Sequence, residues 1–145
     1  MNIILGCDSV DSRTKSFLLE AYNFGINQFD TAEAYNNGVS ESLLGELIKT
    51  VKRNTVKIYT KVSAEHLKSK DIITSCKKSL YRLNTEYIDL YYIHWPNKAI
   101  PVEETLETLL SLKEEGKIKE IGISNYSLSD LKQIHSILKK DLYSY

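Results

Sequence analysis

Four side chains in this sequence, Asp30, Tyr35, Lys61 and His94, form a set with a specific chemical use. A tyrosine hydroxyl ionises near pH ~10 and is a poor acid at neutral pH. A lysine ammonium beside it favours the phenolate, and a carboxylate paired with the lysine keeps that cation charged and in place. A histidine can donate to a carbonyl oxygen where negative charge develops. Together the four could protonate a carbonyl as it accepts a hydride. Ser124-Asn125 is a further polar pair, and Trp95, the single tryptophan, adjoins His94. Taken one at a time each residue is ordinary: an aspartate that caps a turn, a solvated lysine, a structural histidine, one of ten tyrosines, a turn-forming Ser-Asn. Their order along the chain and their position at the ends of apolar runs give them weight.

Those runs alternate with helical patterns. Strands are expected at Asn2 to Leu5, Ile26 to Asp30, Val56 to Thr60, Ile88 to Ile93 and Ile118 to Ile123. The first helix is expected to start at a Ser12 cap, bury Phe17, Leu18, Ala21 and Phe24, and end at Gly25. Ser40 precedes a helix with Leu43, Leu44, Leu47 and Ile48 on one stripe, in which Gly45 is expected to serve close packing. Ser69 is the expected cap of a helix bearing Ile72, Ile73, Cys76, Leu80 and Leu83. Pro101 suits the first turn of the next, with Leu106, Leu109 and Leu110 inward and Gly116 at its end. Ser127-x-x-Asp130 reads as a capping box for a last helix with Leu128, Leu131, Ile134 and Leu138. The continuous apolar run Ile88 to Ile93 fits a parallel strand buried on both faces.

Five βα units imply a parallel sheet with helices outside it. Periodicity alone favours a doubly wound open sheet, which five units complete, over a (β/α)8 barrel, which they do not. The polar residues that follow the strands reverse that preference. All of them fall at carboxyl ends of parallel strands, where either architecture places its site.

Composition narrows the function. The chain has 145 residues, 19 Lys plus Arg against 19 Asp plus Glu, and zero net charge, so no electrostatic reason exists to bind nucleic acid or an anionic membrane. A 42% apolar and 26% charged composition is that of a globular domain. No apolar stretch approaches the ~18 residues of a membrane span. Cys7 and Cys76 lack metal spacing and read as reduced, cytoplasmic thiols, Cys76 in the core. His66 and His135 are expected on the surface, and Asp89, at the amino end of its strand, in a structural role.

The motifs resemble those of the aldo/keto reductase family. Phe29-Asp30-Thr31-Ala32-Glu33-Ala34-Tyr35 with Ser40-Glu41 and Leu44-Gly45 looks like its signature segment. Thr60-Lys61, Ile88-Asp89-Leu90-Tyr91-Tyr92-Ile93-His94-Trp95-Pro96 and Gly122-Ile123-Ser124-Asn125 match its next three blocks in order. The resemblance covers the chain from about Gly25 onward. It implies an α/β fold, a partial TIM-type (β/α)8 barrel, and reduction of aldehydes or ketones with NADPH, or with NADH. Carried over, Tyr35 is the general acid, Lys61 lowers its pKa, Asp30 holds Lys61, and His94 orients the substrate carbonyl. Ser124 and Asn125 would bind the nicotinamide carboxamide, with Asp30 also near the cofactor. Trp95 would line the substrate pocket.

Two departures set further expectations. Gly6-Cys7-Asp8-Ser9-Val10 stands where the family has a Gly-rich segment with Thr and an aromatic. The family also needs eight units, and phosphate sites in such barrels follow strands seven and eight. Residues 1–145 thus read as a single truncated domain of βα units 1–5. Strands one and five would be open edges, and the inward strand faces would expose an apolar patch. Self-association or a complementing chain would cover these. Two functions follow: a carbonyl reductase acting on a small molecule, or a truncated, catalytically silent relative that acts through protein association or has no function alone.

Overall fold

The computed structural model describes residues 2–4 and 12–142. Five strands, β1 (Asn2–Ile4), β2 (Gln28–Asp30), β3 (Lys57–Val62), β4 (Ile88–Ile93) and β5 (Ile118–Ile123), alternate with five helices. These are α1 (Ser12–Asn23), α2 (Val39–Ile48), α3 (Ser69–Arg82), α4 (Val102–Glu114) and α5 (Leu128–Leu142). Gly6-Cys7-Asp8-Ser9-Val10 lies outside the described residues.

Strand order decides between the two architectures. A doubly wound sheet reverses its order at a switch point. Here every pairing is parallel and the order is β1-β2-β3-β4-β5, with no reversal. Helices α1 to α4 touch in succession, which places them in one layer on one face of the sheet. This is an arc of a (β/α)8 barrel.

Register then sorts the side chains onto two faces, because parallel partners point the same way and neighbours along a strand point oppositely. Phe29 and Ile58 share one row, Thr60 and Tyr91 another, and Val62 and Ile93 a third. All are buried against Leu43, Leu44, Ile72, Cys76 and Leu109 of the helix layer. The opposite face carries Asp30, Tyr59, Leu90 and Glu120 in one row and Lys61, Tyr92 and Gly122 in the next. These residues are half-buried or exposed except Lys61. Two expectations are corrected here. β4 is not buried on both faces, since Leu90 and Tyr92 lie on the open side. Among the described side chains that inner face is mainly polar and aromatic, with the half-buried Leu90 beside them, rather than an apolar patch, while the exposed apolar side chains include Phe17 and Phe24 near α1 and Leu128 and Leu131 on α5.

Helix details follow the same logic. On α1 the buried stripe is Leu18 and Ala21; Phe17 lies about 100° round the helix from Leu18 and Phe24 falls beyond its end, so both are exposed. On α4, Thr105, Leu106, Thr108, Leu109 and Leu112 are buried and Leu110 is turned partly outward. Along α5 only Ile134 of the expected stripe is fully buried among the described residues. Ser127 and Asp130 do form a reciprocal capping box, Asp130 N–H donating to Ser127 Oγ at 3.3 Å and Ser127 N–H to Asp130 Oδ2 at 3.1 Å. Ser69 is not a cap, since Lys68 occupies that position. Ser40 sits inside α2, fully buried, with its hydroxyl 2.7 Å from that of Thr31. Ser69 begins α3, and its amide donates to Glu104 Oε1 at 2.9 Å. Pro101 stands at the residue before α4. Gly45 confirms the close-packing expectation, since a Cβ there would meet the Arg82 carbonyl oxygen at 2.2 Å. Asp89 gathers Arg53 at 2.6 Å, Lys57 at 3.3 Å and the Ile58 amide at 3.1 Å, a tie between strands at their amino ends.

Candidate active site

The chain leaving β2 stays beside β3. Thr31 N–H donates to the Tyr59 carbonyl at 2.8 Å and Glu33 N–H to the Lys61 carbonyl at 3.3 Å. A 3-10 turn over Tyr35–Gly38 follows, opened by Tyr35 N–H to the Ala32 carbonyl at 3.1 Å. Within it Asn36 and Asn37 adopt left-handed conformations (φ 46° and 51°), and Gly38 follows at φ 86°. Asparagine and glycine are the residues that tolerate this region. The turn folds Tyr35 back over the end of β3.

Lys61 is the centre of the cluster. Its ammonium donates to the Asp30 carboxylate, to the Thr31 carbonyl at 2.7 Å and to the Tyr35 hydroxyl at 3.4 Å. Those three acceptors match the three protons of an ammonium. Only 9% of the Lys61 side chain is exposed, so the cation depends on its carboxylate partner. The same nitrogen lies 4.9 Å from the Tyr35 ring centroid.

His94 follows β4 directly, its amide donating to the Val62 carbonyl at 3.0 Å. Its ring meets that of Tyr35 edge to face, centroids 5.7 Å apart and planes at 79°. Burial, and then the Lys61 charge, hold its pKa below the usual 6.5. His94 is therefore neutral at pH 7 and keeps one ring N–H as a hydrogen-bond donor.

Ser124 and Asn125 end β5. The Ser124 amide donates to the Ile93 carbonyl at 3.0 Å, extending the ladder. The Asn125 amide nitrogen donates to the His94 carbonyl at 2.8 Å and to Ser124 Oγ at 3.0 Å. Trp95, 53% exposed, lies with its ring 6.4 Å from that of His94. Asp30, Tyr35, Lys61 and His94 thus form one contact cluster, Ser124-Asn125 joins it through the His94 backbone, and Trp95 joins through the His94 ring. A serine hydroxyl and a side-chain carboxamide at one strand end suit a nicotinamide carboxamide, which presents one donor group and one acceptor. A cavity of about 340 Å³ lies elsewhere, between Pro96–Val102 and α5, and includes none of the four clustered residues.

Several supporting residues were not singled out in the sequence. Thr31 enters through its carbonyl, which no side-chain motif reveals. Glu33 accepts from the Ser63 amide at 2.7 Å and faces His66 Nδ1 at 2.9 Å, linking the loops after β2 and β3. Burial raises its pKa, but these hydrogen bonds outweigh that and hold it below the carboxylate range. Glu41 is fully buried; it accepts from Thr60 Oγ1 at 2.6 Å and pairs with Arg82 at 2.6 Å. Its presence in the signature segment was the available clue.

The family model described as aldo/keto reductase family matches residues 7–144. Aldo-keto reductase YhdN of Bacillus subtilis is 38% identical over 126 residues, covering 81% of this chain and 38% of that protein. Methylglyoxal reductase DkgB of Salmonella typhi is 41% identical over 112 residues, 74% of this chain and 41% of that protein. Among solved structures, a thermostable aldo-keto reductase bound to the inhibitor epalrestat superposes with a TM-score of 0.85 at 39% identity, covering 90% of this chain and 49% of that one. An aldo/keto reductase from Klebsiella pneumoniae in complex with NADP and acetate gives 0.81 at 30% identity, covering 90% and 47%. The chain spans about two-fifths of the length of the curated relatives it matches.

Proposed function

The chain belongs to the aldo/keto reductase family, and from that premise we propose that it carries the acid machinery of an NAD(P)H-dependent carbonyl reductase acting on small aldehydes or ketones. The observation that carries the reading is Lys61, whose ammonium contacts both the Asp30 carboxylate and the Tyr35 hydroxyl.

In this reading a bound reduced nicotinamide supplies the hydride to the carbonyl carbon. Tyr35 gives its phenolic proton to the carbonyl oxygen, so that the products are the alcohol, the oxidised nicotinamide and a phenolate. Lys61 stabilises the phenolate as its charge develops, which is where a preformed cation is most effective. Asp30 holds the Lys61 ammonium in place. His94, neutral, donates its N–H to the carbonyl oxygen and fixes its approach to Tyr35. Ser124 and Asn125 hold the carboxamide, orienting one face of the ring, and Trp95 walls the substrate side.

NADPH is the proposed reductant, supported by relatives solved with NADP and NADPH, with NADH as the alternative. We also propose that residues 1–145 belong to a single aldo/keto reductase domain, to which they contribute five βα units. Among the described residues β1 and β5 are the outer strands of the sheet. A cytoplasmic setting suits the buried free thiol of Cys76.

The test is to mix the chain with NADPH and methylglyoxal, the substrate in the name of a relative, and follow reduced nicotinamide absorbance with Trp95 fluorescence. Saturable quenching by NADPH and aldehyde-dependent oxidation are expected. Absence of both would reject the reading.

A further inference from the structure

We propose that Arg82 and Glu41 are positioning residues for the acid pair: together they support the Tyr35 turn from beneath and anchor the residue next to Lys61. The proposal rests on the catalytic reading of Tyr35 and Lys61 and extends it to residues that touch neither substrate nor cofactor.

The turn that carries Tyr35 is conformationally unfavourable. Asn36 and Asn37 are left-handed in succession, a conformation that even asparagine adopts at some cost, and Gly38 continues it without one. Such a segment persists when its surroundings over-determine it. Arg82 provides those surroundings. A Cβ built on Gly38 would lie 2.6 Å from Arg82 Nε and 2.7 Å from its Cδ, so the Gly38 backbone rests on the Arg82 side chain.

Arg82 cannot yield, because Glu41 holds it. Nε donates to Glu41 Oε2 at 2.7 Å, and Nη2 lies 2.6 Å from the same oxygen. Nη2 also reaches Ser79 Oγ at 3.4 Å. Glu41 is fully buried, and its second oxygen accepts from Thr60 Oγ1 at 2.6 Å. Thr60 immediately precedes Lys61 on β3, and α2 begins immediately after Gly38. One carboxylate therefore joins the base of the Tyr35 turn to the strand position beside Lys61. Both partners of the 3.4 Å Tyr35–Lys61 contact are set from the same buried point.

This role differs from general structural support. A plain core contact would change stability when removed, whereas a positioning network changes the Tyr35 geometry even where stability is kept. The decisive variant is Glu41→Leu/Thr60→Val/Arg82→Met, which replaces the whole network by apolar side chains and leaves no buried partner charged. Exchanges of this kind are commonly tolerated without loss of stability.

The primary readout is the Overhauser cross-peak between the Tyr35 and His94 rings in the full chain labelled at aromatic positions. In the folded triple variant the proposal predicts that this cross-peak is lost, and that kcat falls about a hundredfold with NADPH affinity within about twofold of wild type. Arg82→Lys, which keeps the charge on Glu41 but not the planar group beneath Gly38, weakens the cross-peak severalfold. It decides the matter if the triple variant does not fold. A cross-peak of wild-type intensity in either folded variant overturns the proposal. The two failures separate cleanly. Turnover that survives Tyr35→Phe removes the catalytic reading, whereas a cross-peak that survives loss of the network removes this one.

Discussion

Asp30 and Lys61 are diagonal neighbours on one face of the β2–β3 pair. Asp30 is in register with Tyr59, two residues before Lys61, so the lysine side chain reaches back along the strand to the carboxylate. Lys61 projects from the carboxyl end of β3, and the chain after β2 brings Tyr35 to its far side. The pairing of strands thus delivers a cation held between an acid and a phenol before any ligand arrives.

If Asp30 is what keeps the Lys61 cation stable at a nearly buried position, Asp30→Asn leaves that charge without its partner. We expect a loss of about 1–3 kcal/mol in unfolding free energy, read from urea denaturation. Lys61→Met/Asp30→Asn, which removes the charge as well, should recover part of it. A single variant as stable as wild type would show that Asp30 does not support Lys61.

His94 links the site to pH. Its folded-state pKa is depressed below 6.5, first by burial and then by Lys61. The unfolded chain therefore binds more protons between the two values, and stability rises with pH across that interval. The contribution is full above about 6.5 and is lost as pH falls through the folded pKa. Titration of the His94 ring by NMR should give a midpoint below 6.5, and Lys61→Met should move it up only part of the way, since burial is the larger cause. A midpoint unchanged by Lys61→Met would remove the Lys61 contribution.

Gly45 allows α2 to rest on the end of α3. Gly45→Ala forces a Cβ into the Arg82 carbonyl at 2.2 Å, a backbone atom that cannot swing away. Overpacking of this kind costs about 1–3 kcal/mol. A thermal midpoint equal to that of wild type would mean the helices part without cost.

Much of this was legible in the sequence, for identifiable reasons. Asp30, Lys61 and His94 stand at strand ends, and strand ends are marked by where apolar and β-branched runs stop. The capping box of Ser127 and Asp130 and the packing of Gly45 are local rules, and both hold. Whether the units form an open sheet or a barrel arc was not readable from periodicity, because strand order is a property of pairing rather than of any one segment. Ser69 misleads because a serine before an apolar stripe fits a cap and a first helical residue equally well. Phe17 and Phe24 fit the helical spacing of an apolar face, but the buried stripe runs through Leu18 and Ala21 and α1 ends before Phe24, so both are exposed. The Arg82–Glu41–Thr60 network joins three elements distant in sequence, and no spacing rule connects them.

Cys76 sits in the core between α3 and the sheet, where burial pushes its thiol up to about 12. Thiolate is the reactive form, so the native thiol is expected to be inert. In a Cys7→Ser chain, iodoacetamide at pH ~8 should leave Cys76 unmodified under native conditions and alkylate it fully in denaturant. Rapid native alkylation would contradict its place in the core.

The central claim is that Tyr35 delivers the proton, and its most direct test is turnover of the wild-type chain against Tyr35→Phe with NADPH and methylglyoxal. Thermal midpoint and NADPH quenching of Trp95 serve as controls. The account predicts a loss of about 10²–10⁴-fold in carbonyl reduction, with folding and NADPH binding unchanged. Undiminished turnover in Tyr35→Phe would contradict it.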